Sequence, residues 1–163
     1  MLNAALPGSL PDGATLREMT LADVAAVHEA EMRLFPADAW PLDMFLAEIA
    51  HPTRGYVVVE RGGEVIGYAG VMSVAETADV QTIAVLPAYE GRGYGRAMLA
   101  FLHAEAVARG AEQVLLEVRA DNQRAQELYL RFGYVHIHTR PAYYNDGVDA
   151  LIMQKELKDD NHD

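Results

Sequence analysis

Apolar positions along the chain switch between two periods, and the switches predict its elements. Leu21, Val24, Val27 and Leu34 recur at helical spacing behind Thr20, a capping residue with Asp23 placed as the acid of a capping box. That helix stops by Pro36. A second is predicted from Pro41, a favoured first helical position, carrying Met44, Phe45 and Ile49 before Pro52. Runs of β-formers at 56–60 and 64–73 flank Arg61-Gly62-Gly63 and predict a hairpin. A strand over 77–86 enters a glycine-rich turn, followed by a helix with Leu99, Leu102, Ala106 and Val107 on one face and Gly110 as its stop. Residues 113–119 read as a strand, 122–132 as a helix ended by Gly133, and 134–139 and 150–157 as strands. With a first strand near 15–19, the order is β-α-α-β-β-β-α-β-α-β-β, an α/β (α+β) chain with a mixed sheet and helices packed on it. Residues 1–13 lack periodicity and are predicted to be a flexible tail, 14–158 one domain, and 159–163 a frayed end.

Composition narrows the chemistry. At 163 residues and 51% apolar, the chain suits one core burying roughly 70% of its unfolded surface. It has no cysteine, which excludes disulfides and thiolate chemistry. No apolar run approaches the roughly 20 residues that span a bilayer, and the first residues lack a signal-peptide pattern, so a cytoplasmic protein without a membrane partner is expected. A formal net charge of -11 argues against a nucleic-acid partner and suits a cationic substrate better.

The candidate chemistry starts at the glycine turn. In Gly91-Arg92-Gly93-Tyr94-Gly95-Arg96, alternate glycines let backbone N–H groups converge where a helix begins, a geometry that binds phosphate, and two arginines flank it. Taken alone the signal is weak: it is neither the Gly-x-Gly-x-x-Gly of dinucleotide binders nor a P-loop. A second cluster lies downstream, Leu116-Glu117-Val118-Arg119, then Asn122-x-x-Ala125-x-x-Leu128-Tyr129 and Gly133-Tyr134.

Together these segments resemble the GCN5-related N-acetyltransferase (GNAT) superfamily, over about residues 15–157. The resemblance implies a mostly antiparallel sheet of about seven strands with helices on both faces, and acetyl-CoA as co-substrate without a metal. Ile83, Ala84, Val85, Gly91, Arg92, Gly93, Tyr94, Gly95, Arg96, Asn122 and Tyr129 are then its binding residues. Glu90 departs from the Gln or Arg usual at its position. Thr82-Ile83-Ala84-Val85, Leu116-Glu117-Val118-Arg119 and the segment from Tyr143-Tyr144 to Met153 are similar to the branch that acetylates protein N-termini, including the bacterial ribosomal-protein alanine N-acetyltransferases. In that branch Glu117 corresponds to the general base and Tyr129 to the general acid, while Tyr143 and Tyr144, with Phe35 and Trp40, wall the peptide groove. The implied partner is a protein or peptide N-terminus, possibly ribosomal.

Acid–base chemistry agrees. An α-amine of pKa about 7.7 to 8.0 needs about 1 kcal/mol to lose its proton at pH 7, whereas lysine near 10.4 needs about 4 to 5. A carboxylate base suffices for an N-terminus, and a phenol can protonate a departing thiolate. Acetylation of a small amine or lysine, or a non-catalytic acyl-CoA-binding domain, are the competing readings. Glu31, Asp38 and Asp149 are candidates to attract a basic second residue, and His28 and His51 to touch the acceptor. His136-x-His138 lacks a third ligand, so no metal site is expected.

Overall fold

The computed structural model describes residues 1–157, so the fraying expected at 159–163 lies outside the described residues. Seven strands form one sheet: β1 (Thr15–Glu18), β2 (Arg54–Arg61), β3 (Glu64–Val74), β4 (Thr77–Val85), β5 (Gln113–Arg119), β6 (Val135–Arg140) and β7 (Ala150–Glu156). Their order is β1-β2-β3-β4-β5-β7-β6, and only β4 and β5 pair in parallel. Four helices join them: α1 (Val24–Leu34), α2 (Leu42–Ala50), α3 (Tyr94–Ala108) and α4 (Gln123–Arg131).

Both faces of the sheet are covered, because side chains alternate along a strand and β2 is apolar on each side. Val57 and Val59 pack with Met98, Leu99 and Leu102 of α3 and Tyr129 of α4. Tyr56 and Val58 point the other way, to Val24 and Val27 of α1 and Phe45 of α2. The predicted mixed sheet with helices on both faces is present.

Differences sit at element ends. The capping box forms, with the Thr20 N–H donating to Asp23 Oδ2 at 2.8 Å, but the first turn is a 3-10 turn and Leu21 is exposed, outside the apolar face assigned to it. Pro41 caps α2 from just outside, its ψ of 159° being extended rather than helical. Val107 faces solvent while Leu99, Leu102 and Ala106 are buried. Residues 1–13, expected to be loose, are instead docked. The N–H groups of Asn3 and Ala4 donate to the buried Glu105 carboxylate on α3 at 2.8–2.9 Å, and Leu2, Ala4 and Leu10 pack against the core.

Candidate active site

The site exists because two neighbouring strands part. β4 and β5 pair only at Thr77↔Gln113, Ala78↔Val114 and Asp79↔Leu115. Beyond Asp79, β4 stays bonded to β3 as far as Val85, and β5 stays bonded to β7 as far as Arg119. Each strand thus stays bonded on its outer side while the inner edges separate. The β3–β4 register also skips Gln81, between Gly70↔Thr82 and Val71↔Val80, and such a bulge adds twist where the strands separate.

A cavity of about 1040 Å³ opens between Val80–Ile83 and Leu116–Arg119, walled by the loop after α1 and the loop before β7. A second, of about 580 Å³, runs past Ile83, Ala84 and Val85 to the glycine turn and α4. Leu34, Phe35, Ile83, Asn122, Ala125 and Tyr129 line both.

The smaller cavity is built for an anion. Gly93 is the N-cap of α3 with φ 91°, and Gly91 has φ 78°, a conformation L side chains rarely adopt. Ala97 donates to Gly93 O at 3.0 Å, so the N–H groups of residues 94–96 precede the first intrahelical bond and face the turn. A Cβ on Gly91 would sit 3.2 Å from Arg124 Nη2, which fits a cradle kept free of side chains. Arg96, Arg124 and Arg131 line the cavity and Glu90 lies exposed at its rim. These donors and charges fit the pyrophosphate of a coenzyme A thioester.

Two of the assigned turn residues aim their side chains elsewhere. Arg92 points out of the cavity, stacking over Tyr89 at 5.2 Å and facing Asp12 at 3.6 Å. The Tyr94 ring is buried and its hydroxyl donates to Pro11 O at 2.9 Å, so the ring belongs to the core. Gly95 has an ordinary φ, and its Cβ would meet nothing closer than 3.8 Å.

In the larger cavity, Glu117 is half-exposed and accepts from Arg140 Nη1 at 3.2 Å. Strand alternation explains its direction: Leu116 and Val118 are buried, so Glu117 faces the opening. Tyr129 is 5% exposed on α4, and burial, with a smaller contribution from Tyr144, pushes its hydroxyl well above the ordinary tyrosine value. Asn122 caps α4 through Oδ1, which accepts from the Ala125 N–H at 3.1 Å, while also lining both cavities. Phe35, Trp40, Tyr143 and Tyr144 all line the larger one. The two tyrosines meet edge to face at 5.2 Å, and the Tyr144 hydroxyl is pushed up to about 12, first by burial and then by the charge of Glu117.

Several candidates for acceptor contact are occupied. Glu31 is buried and holds the Tyr68 hydroxyl at 2.8 Å and the Trp40 N–H at 3.1 Å, and desolvation raises its pKa. Asp149 accepts from the Ala142 N–H, and Asp38 from the Asn145 N–H. His28 and His51 line neither cavity, and His136 Nε2 bonds the Thr139 hydroxyl. Among the described residues no group of three or more His, Cys, Asp or Glu could hold a metal ion.

Sequence reading missed Arg124 and Arg131. They are seven residues apart, two helical turns, and so share the α4 face that carries Leu128 and meets the anion cavity. It also missed Arg140, the partner of Glu117, which a distant β6 supplies.

The chain is similar to known proteins. The profile of the Acetyltransferase (GNAT) family matches residues 24–134. N-alpha-acetyltransferase RimI of Mycobacterium tuberculosis is 40% identical over 151 residues, 89% of this chain and 94% of that protein. The crystal structure of the ribosomal-protein-S18-alanine N-acetyltransferase from Escherichia coli is similar with a TM-score of 0.79 and 31% identity, covering 88% of this chain and 94% of that one. A Salmonella typhimurium protein solved with its cofactor acetyl-CoA shares the fold, with a TM-score of 0.77 at 24% identity and covering 90% of this chain and 95% of that one.

Proposed function

The chain belongs to the Acetyltransferase (GNAT) family, and from that premise we propose that it acetylates the N-terminal α-amine, alanine foremost, of a ribosomal or other protein. It is an N-acetyltransferase, and enzymes of this family use acetyl-CoA. What carries the finer reading is Tyr129, a residue that lines both cavities, with Glu117 on the wall of the larger one alone. The relatives named for N-terminal and ribosomal-protein alanine acetylation support the choice of acceptor.

Bound acetyl-CoA supplies an acetyl group activated as a thioester. The main-chain N–H groups of residues 94–96 and the side chains of Arg96, Arg124 and Arg131 would hold its pyrophosphate, and the unpaired edge at Ile83–Val85 its pantetheine arm. Glu117 would take one proton from the entering α-ammonium, directly or through one water, freeing the lone pair that attacks the acetyl carbonyl, and the second proton nitrogen loses as the amide forms and the carbon–sulfur bond breaks would pass to solvent. Tyr129, kept protonated by burial, gives its proton to the departing sulfur. Phe35, Trp40, Tyr143 and Tyr144 hold the first residues of the acceptor.

The test is coenzyme A release with peptides that differ only in the first residue, beside acetylated-α-amine lysine peptides and polyamines. Turnover of free α-amines, with alanine favoured, is expected. Turnover confined to lysine or polyamines overturns the acceptor assignment, and thermal stabilisation by acetyl-CoA without any turnover overturns catalysis. Mass spectrometry of N-termini in cells with and without the gene names the acceptor.

A further inference from the structure

We propose that Arg119 is a positioning residue that locks the roof of the acceptor cavity, joining the loop after α1 to the loop before β7 and thereby setting the preference for an amine at a chain end. The inference rests on the acceptor class proposed above. Arg119 ends β5 two residues beyond Glu117, so the two side chains leave the strand on one face.

The guanidinium donates to both oxygens of Asp121 at 3.0 Å and to those of Asp146 at 2.7 and 3.3 Å. It also lies 3.7 Å from Asp38 and stacks over the Tyr144 ring at 5.1 Å. Asp38 belongs to the loop after α1, and Tyr144 and Asp146 to the loop before β7. The two loops also touch directly: the Asn145 N–H donates to Asp38 Oδ1 at 3.0 Å and its Nδ2 to Ala37 O at 2.8 Å. Segments more than a hundred residues apart are thus clasped across one cavity.

An exposed ion pair by itself contributes little. Here one cation sits among three carboxylates, so removing it turns attraction between the loops into repulsion. The planar fork is what serves several acids and an aromatic face together, and lysine cannot reproduce it. The main chain of Arg119 faces the other way: its carbonyl accepts from the Asn122 N–H at 3.0 Å and from Gln126 Nε2 at 3.1 Å, fixing the start of α4. A side-chain substitution leaves those bonds in place, so its effect should fall on the acceptor and not on acetyl-CoA.

The experiment compares wild type with Arg119→Gln, Arg119→Lys and Asn145→Ala. Steady-state rates are measured with acceptor and acetyl-CoA varied in turn, together with hydrogen exchange on the acceptor-free protein. Arg119→Gln should raise the acceptor KM roughly tenfold and leave the acetyl-CoA KM within about twofold. It should also raise the ratio of lysine to α-amine acetylation and speed exchange in both 35–40 and 143–149. Arg119→Lys should recover part of each effect, and Asn145→Ala should repeat them more weakly. Unchanged acceptor KM and exchange in Arg119→Gln, or equal rises in both KM values, overturn the clasp. Exchange reads the clasp without any substrate. A wild type that ignores peptide α-amines while both loops loosen in the variant therefore overturns the acceptor assignment, and normal peptide turnover with unmoved loops overturns the clasp alone.

Discussion

A phenol sealed between two cavities holds its proton more tightly than one in water, and this sets the pH behaviour expected of Tyr129. Its hydroxyl lies above the ordinary value of 10, so it stays a proton donor through the neutral and mildly alkaline range. With a peptide acceptor, any change in kcat/KM near about pH 7.7 to 8.0 belongs to the α-amine's own titration, and no fall from loss of the Tyr129 proton should appear below about pH 10. Tyr129→Phe should lower kcat by roughly 10²–10⁴ at every pH in that range, and unchanged turnover removes the acid role. Asp23 is the stability counterpart. Arg17, donating to both its oxygens at 2.8 Å, holds this nearly buried carboxyl below its usual 3.8. A lowered folded value means stability that is present above the unfolded pKa and lost as pH falls through the folded one. Asp23→Asn should therefore cost about 1 to 2 kcal/mol at pH 7, with the gap to wild type closing as pH falls below 3.8 in thermal melts. Glu117, Tyr129 and Asn122 stood out in the sequence through their resemblance to family motifs, and strand and helix period adds only the direction each one faces. The direction of Arg92 was not legible: it depends on Asp12, eighty residues earlier, and no local pattern announces that pairing.

Among the elements, the turn into α3 separates two reasons for a glycine. Gly93 needs a positive φ to cap the helix, so Gly93→Ala should destabilise by about 1 to 2 kcal/mol and raise the acetyl-CoA KM. Gly95 has ordinary backbone angles and room for a methyl group. Gly95→Ala should leave Tm within a few degrees and the acetyl-CoA KM within about threefold, since alanine also favours the helix. Equal damage from both would mean that the whole turn, not one conformation, is required. Strand positions and helix faces were legible here, because apolar period and punctuation by Gly and Pro act locally. Element ends were less so. The 3-10 turn before α1 and the extended Pro41 before α2 answer to packing against the sheet, which apolar period does not record.

For the whole molecule, the decisive unforeseen feature is the docked beginning of the chain. Glu105 is fully buried, and besides Arg109 Nε at 2.6 Å its carboxylate relies on the Asn3 and Ala4 N–H groups. Arg109 in turn donates to Met1 O at 2.8 Å. Deleting residues 1–5 should leave that charge short of donors and lower Tm by roughly 4–12 °C, with the acetyl-CoA KM unchanged. An unaltered melt would show that the segment adds nothing. A low-periodicity stretch of Pro and Gly gives no sign of this role, because the receptor for it is a glutamate and an arginine a hundred residues away. The parted strands carry a different kind of information. Where β4 leaves β5, the β4 edge that faces the gap is no longer paired to β5, and an edge of main chain looks alike whatever side chain it bears. Exchanges among small and branched residues at Ile83 or Val85 thus keep the gap, whereas adding or removing one residue between Asp79 and Val85 would rotate every later side chain to the opposite face.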